Sequence, residues 1–247
     1  QRRVRSIQNL ERHPAWLKIL AENNTADSEI KTALTLSAQD FDHNSVDASK
    51  REILPALLSH RRLFCLQGPP GTGKTRLLAE LVKELVMRQP NVRVLATAQS
   101  HAAAETVINA IAEVLDSAKV PGKPFIHRLI RSSGGSNQHE LAARLGIECP
   151  TTEQLRVCNG FSKQRANITV ATTSSGELET LLADGSRFDW VIVEEASKAH
   201  GFDLILPLLG AHRAVFLGDH RQLPPHRHED FEKLLEAQAL EQFRDWL

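Results

Sequence analysis

The chain has 247 residues, 41% of them hydrophobic, which suits one large or two small domains with a sizeable core; its 30 Lys+Arg equal its 30 Asp+Glu, which excludes a generally basic surface while leaving room for a local basic groove. Three scattered cysteines, Cys65, Cys149 and Cys158, exclude a disulfide framework, and no paired Cys or His spacing supports zinc. No apolar run reaches transmembrane length and no signal peptide is visible, so we expect a soluble intracellular protein without a membrane partner; a start without Met and a lone Met87 lead us to expect a fragment of a longer chain.

Residues 1–46 are expected to form an accessory segment separate from the core. Leu10, Trp16, Leu17 and Leu20 share one side of a helix predicted over 10–20, with Pro14 in its first turn. A polar break follows at Asn23-Asn24-Thr25. The basic start, Arg2-Arg3-Val4-Arg5, suits a solvated terminus or a phosphate contact. A helix then starts near Asp47 or Ser49, either of which can cap it, and runs to about Ser59. Leu63 to Gln67 reads as a short buried strand, with Cys65 expected in the core.

Gly68-Pro69-Pro70-Gly71-Thr72-Gly73-Lys74-Thr75 fits the phosphate-binding loop pattern, a glycine and four free positions before Gly-Lys-Thr. A strand precedes it. A helix follows over 76–88, with Leu77, Leu78, Leu81 and Leu85 on one side and charges on the other. Glycines let backbone amides approach a polyphosphate closely. Those amides and the helix N-terminus form a positive concavity for an anion. Lys74 would reach the β- and γ-phosphates, and Thr75 would place its hydroxyl on Mg²⁺. Arg76, which opens the helix beside them, is expected to bind the nucleotide together with residues Gly68 to Thr75. An ordinary Gly/Pro turn is the plainer alternative.

A second strand is predicted over 92–98, a turn at Gln99-Ser100-His101, and an Ala-rich helix over 102–115 with Val107, Ile108, Ile111 and Val114 inward. Small polar residues at the carboxyl end of a parallel strand suit ligand binding. Residues 118–167 read as an insertion. A strand is expected at 125–130, a flexible loop at 131–137 and helical pieces at 138–145 and 152–156. Order returns with a strand at Ile168 to Thr172, ending in Thr173-Ser174-Ser175-Gly176. The apolar runs at 190–193 and 214–217 read as central parallel strands. Strands alternating with helices behind a phosphate loop imply a doubly wound α/β fold with a mostly parallel sheet. Its two parts would be 47–117 and 168–247.

Glu194 and Glu195 follow the buried strand at its carboxyl end, the edge that faces the phosphates in phosphate-loop enzymes. We assign Glu194 to Mg²⁺ and Glu195 to positioning or deprotonating the attacking water. An acidic pair capping a helix near Ala196 is the alternative. Gln222, on the loop after the last strand, has both a donor and an acceptor and suits a γ-phosphate sensor. A proline-ended loop is the alternative there.

Four blocks in order, Gly68 to Thr75, 95–107 (LATAQSHAAAETV), 191–199 (VIVEEASKA) and 215–225 (VFLGDHRQLPP), resemble the superfamily-one helicases of the Up-frameshift-like group. The resemblance covers about residues 47–225. It implies a phosphate-loop NTPase fold, the first of two RecA-like motor domains, using ATP and Mg²⁺ to move on single-stranded RNA or DNA. By position it implies that Lys74 and Thr75 hold phosphate and Mg²⁺, Glu194 and Glu195 form the acidic motif, and Gln222 senses the γ-phosphate. Ser100 and His101, then Thr172 and Thr173, match blocks that touch the strand's backbone. This chain has Glu194 where the family usually has Asp, and Lys50 near the usual adenine-reading Gln. A second RecA-like domain would supply arginine fingers, so this portion alone is expected to hydrolyse slowly. An ATP-binding switch or assembly module with little hydrolysis is a rival. A phosphate-loop kinase is a third reading, disfavoured by the Gln-Leu-Pro-Pro block.

Overall fold

The computed structural model describes residues 10, 13–21, 47–60, 62–118, 126–128 and 166–222. In chain order these form α1 (Pro14–Ala21), α2 (Ala48–Ser59), β1 (Leu63–Gln67), α3 (Lys74–Arg88), β2 (Val94–Ala98) and α4 (His101–Ser117). Then come β3 (Ile126–Arg128), β4 (Ile168–Thr172), α5 (Gly176–Ala183), β5 (Phe188–Val193), a 3-10 turn (Ala196–Lys198), α6 (Gly201–Leu209) and β6 (Ala211–Gly218). The strands form one six-stranded sheet in the order β1-β6-β5-β2-β4-β3. Every pairing among them is parallel. The carboxyl ends of all six strands therefore point to one edge, which is where the predicted site residues fall.

Each element follows from its residues. Asp47 caps α2, its side chain accepting from Lys50 N, so of the two candidate caps it is Asp47 that serves. Ser100 and Ser175 cap α4 and α5 by accepting from Ala103 N and Leu178 N. The central strands β2 and β5 are almost wholly buried, as parallel strands covered on both faces must be.

Two apolar clusters cover the faces of the sheet. One gathers α2, α3 and α4 around Leu54, Leu78, Ile108, Ile111 and Ile192. The other gathers Leu10, Trp16, Leu178, Leu181, Phe188, Val191 and Leu208. Trp16 is buried and donates its ring N–H to Ala211 O at 3.2 Å. The first correction follows from this: the N-terminal helix packs into the core, because a buried Trp with its polar tip satisfied is a strong anchor.

Two further expectations are corrected, and one feature goes beyond what the helix pattern of α3 addressed. The charged side of α3 is not at the surface: Glu80, Lys83 and Glu84 are buried, because α2 and α4 flank the helix. Lys83 Nζ donates to Glu80 Oε2 at 2.7 Å and lies 3.4 Å from Glu84 Oε1, so the buried charges compensate one another. Cys65 is exposed rather than in the core, because β1 lies at the end of the strand order and only part of it is covered. Within the strand expected at 125–130 the described residues are Ile126–Arg128, and all three belong to β3. It joins the main sheet by pairing with β4, so that part of residues 118–167 is not an excursion. The loop at 131–137, the helical pieces at 138–145 and 152–156, the break near Asn23 and the basic start lie outside the described residues.

Candidate functional site

The phosphate loop joins β1 to α3. Gly71 and Gly73 have φ of 76° and 78°, a left-handed conformation that strains any residue with a Cβ. Gly73 is the N-cap of α3, so the first amides of that helix open toward the loop. Thr72 Oγ1 donates to Pro69 O at 2.8 Å, and a Cβ on Gly68 would come within 2.8 Å of that same hydroxyl. Lys74 Nζ donates to Gly68 O at 2.5 Å and Pro69 O at 3.0 Å. The ammonium thus lies across the loop carbonyls.

Gly68 N donates to Gly218 O at 3.0 Å, extending the β1–β6 ladder and tying the loop to the end of β6. Beyond Gly218 the chain turns: Arg221 N donates to Asp219 Oδ1 at 3.0 Å and Gln222 N to Asp219 O at 3.1 Å. Gln222 therefore stands on a turn between the exits of β1 and β5. Leu223 and its prolines lie outside the described residues.

The carboxylates leave β5. Glu194 N donates to Thr97 O at 2.8 Å, continuing the ladder with β2. The Glu194 side chain reaches back to the phosphate loop, where Thr75 Oγ1 donates to its Oε1 at 2.6 Å. Its other oxygen, Oε2, is buried without a hydrogen-bond partner. Burial pushes the Glu194 carboxyl above its ordinary range. The Thr75 bond and the Lys74 charge pull it down, and the Glu195 charge pushes it up. Glu195 has φ of 54°, among the described residues the single positive φ outside glycine. Such a backbone costs about 1–3 kcal/mol and recurs at functional sites. Its Oε1 accepts from Lys198 Nζ at 2.6 Å, with both side chains partly exposed.

The structure therefore brings Lys74, Thr75, Glu194, Glu195 and Gln222 to one edge. A buried carboxylate oxygen without a partner, beside a threonine hydroxyl, is a hard oxygen set suited to Mg²⁺. Among the described residues no three His, Cys, Asp or Glu side chains converge as a metal site.

The remaining predicted residues sit beyond β5, at the exits of β2 and β4. Ser100 Oγ is taken by its own helix cap, and His101 is exposed. Thr172 is partly buried. Thr173 is buried, donates to Ala98 O at 3.1 Å and accepts from Gln99 Nε2 at 3.2 Å. It offers no surface hydroxyl, which corrects its expected contact with a strand: it fastens the turn after β4 to β2. Arg76 also departs from expectation. Its guanidinium bonds Glu80 at 3.2 Å and Glu113 of α4 at 3.1 Å, so its side chain braces two helices instead of facing the loop.

Sequence reasoning missed Ser197. Its Oγ accepts from Asp219 N at 3.2 Å, and its backbone N lies 3.0 Å from where a Cβ on Gly218 would stand. It couples the turn bearing the carboxylates to the turn bearing Gln222. The one available signal was its place directly after Glu194-Glu195-Ala196.

Residues 45–157 and 161–229 match the AAA domain family. The chain is 27% identical over 241 residues to the DNA polymerase alpha-associated DNA helicase A of Schizosaccharomyces pombe, covering 80% of this chain and 36% of that protein. It is 26% identical over 234 residues to the DNA-binding protein SMUBP-2 of Mus musculus, covering 78% of this chain and 23% of that protein. It is 28% identical over 183 residues to a DNA replication ATP-dependent helicase/nuclease of Saccharomyces cerevisiae, covering 73% and 11%. The chain thus spans 36% or less of the length of these relatives.

Proposed function

The chain belongs to the AAA domain family as a superfamily-one helicase motor domain, and on that premise we propose that it binds and hydrolyses ATP to move on a single strand of RNA or DNA. The observation that carries this is the 2.6 Å bond from Thr75 to Glu194, with the partnerless Glu194 Oε2 beside it. It joins the phosphate loop to the acidic pair across three adjacent strands, β1, β6 and β5.

Thr75 and Glu194 would hold Mg²⁺, which when bound neutralises charge on the transferring phosphate. Lys74 binds the phosphates, moving off the Gly68 and Pro69 carbonyls. Glu195 takes the water's proton or orients it, after leaving Lys198. Gln222, whose amide both donates and accepts, contacts the γ-phosphate and the water together. Ser100, His101 and Thr172 lie at the far half of the same edge and contact the strand's backbone. A second RecA-like domain closes the cleft and supplies an arginine to the transition-state charge.

The test is strand-stimulated phosphate release by the full-length protein. Lys74→Ala should abolish it; normal release from that variant sinks the reading. A nucleotide-gated switch is kept as a second reading by the Glu195–Lys198 bond, which occupies the residue needed for hydrolysis. Tight ATP binding without strand-stimulated release would select it.

A further inference from the structure

Lys50 belongs to the first turn of α2, yet it lies against the phosphate loop. Its Cε and Nζ both come within 3.2 Å of the position a Cβ on Gly73 would occupy. Only a glycine there leaves room for this approach without displacing the lysine. The lysine side chain is 14% exposed and its Nζ is ion-paired to Asp47, which is 54% exposed. Asp47 is held as an acceptor from three donors, Lys50 Nζ, Lys50 N and Ser49 Oγ. Those bonds, the one from Lys50 first, keep its carboxyl at about 2, so it is ionised throughout the neutral range. The ammonium is thus pinned between a fixed carboxylate on the solvent side and the N-cap of α3 on the loop side.

Two features of this placement bear on a ligand. Gly73 is the residue at which the free amides of α3 begin, so the Lys50 ammonium, the inner member of its pair with Asp47, stands beside the end of the helix that already favours an anion. A lysine is also donor-only. It meets phosphate oxygens well as a compact charge. It gives nothing to the exocyclic amino group of a base, which needs an acceptor.

We propose that Lys50 is a second ammonium of the nucleotide site, beside Lys74, that binds the polyphosphate by charge and leaves the base of the nucleoside triphosphate unread. The proposal rests on the nucleotide-site reading above and concerns which triphosphates the site takes. Asp47 holds the cation in place as an exposed partner, and the site accepts ATP, GTP, CTP and UTP with similar affinity.

The experiment is equilibrium displacement of a fluorescent ADP analogue from the full-length protein by each of the four nucleoside triphosphates and by inorganic tripolyphosphate. The unmodified protein is expected to bind the four within about threefold of one another. Lys50→Ala should weaken all five competitors by a common factor of about ten, the scale of one charge-assisted hydrogen bond. Lys50→Arg, which keeps the charge, should retain most of the affinity. Lys50→Gln, which adds an acceptor, should shift the order toward one base.

A wild-type preference for one base above about tenfold overturns the proposal. So does a Lys50→Ala protein whose affinities stay within twofold of wild type, or a Lys50→Arg protein that falls as far as Lys50→Ala. The Lys74→Ala protein separates the two levels. If it binds like wild type, the nucleotide-site reading itself fails and takes this proposal with it. If it loses binding while Lys50→Ala does not, the role of Lys50 alone is overturned.

Discussion

The carboxyl edge of the sheet has two unlike halves. The exits of β1, β6 and β5 carry left-handed glycines, a left-handed glutamate and a buried carboxylate oxygen without a partner. At the exits of β2 and β4 the side chains are already engaged. Ser100 and Ser175 cap helices, and Thr173 bonds Ala98 and Gln99. The first half stores strain and unmet electrostatics, which a charged ligand would relieve. The second half is locally complete and offers a surface. The contrast teaches that strained, unsatisfied groups and a locally satisfied surface can share one edge when the boundary strand belongs to both. That strand is β5, whose Glu194 bonds Thr97 of β2 through its backbone and Thr75 through its side chain.

Glu195→Gln gives the largest test of this contrast. We expect strand-stimulated phosphate release to fall by about 10²–10⁴, with nucleotide and strand binding retained. Stopped-flow phosphate release and equilibrium binding check it; an equal loss of binding would make Glu195 a structural residue.

Gly218→Ala comes next. A Cβ there meets Ser197 N at 3.0 Å and its side chain at 3.2 Å, and the overpacking should cost about 1–3 kcal/mol. The same substitution should slow phosphate release, since it pushes apart the turns bearing Glu194 and Gln222. Denaturant unfolding and release rates on one preparation test both effects.

Ser100→Ala should lower stability by about 1 kcal/mol through the lost cap on α4. It should leave nucleotide affinity unchanged, because Ser100 lies in the other half. A nucleotide-binding defect in that variant would erase the boundary drawn at β5.

The smallest effects concern protons, and they run in opposite directions. Burial raises the folded-state value of Glu194 above its ordinary 4.5, so its folded carboxyl holds a proton more tightly than the unfolded one. Its contribution is most favourable below 4.5 and is lost as pH rises through the folded value. Glu194→Gln keeps a group that can bond Thr75 without the buried charge, so it should melt higher than wild type, by a few degrees per kcal/mol. Its advantage should shrink in acid.

His60 behaves in reverse. It is buried between α2 and β6, with one ring nitrogen 2.5 Å from Leu57 O and the other 3.1 Å from Ala214 O. Burial lowers its folded-state value below 6.5. Its contribution is present above 6.5 and is lost as pH falls toward that lowered value. Thermal melts from pH 8 to 5.5 should show a decline that His60→Phe removes.

Much of the fold was legible because it is written locally. A glycine-rich turn between a short strand and a helix predicts the phosphate loop, and the apolar runs predict β5 and β6. β1 and β4 have the predicted bounds, Leu63–Gln67 and Ile168–Thr172. Local pattern says which residues are apolar or turn-forming, because side-chain type and backbone preference act over a few residues. It does not say which neighbours cover a face. Hence Cys65, expected in the core, lies on a strand left partly uncovered, the burial of the α3 charges is not written in that helix's own pattern, and the helix bearing Trp16, expected apart from the core, packs into it.

The sequence by itself determined the chemical kit: a cradle of glycines, a lysine, a threonine, two carboxylates and an amide, in that order along the chain. Only the tertiary structure decided which members meet, because Thr75 and Glu194 are 119 positions apart and come together through β6, which lies between their strands. It also decided that Thr173 is spent internally, that Arg76 faces α4 and that Lys50 stands at the loop. Strand order and burial arise from packing across the whole chain, and no short window of residues contains that information.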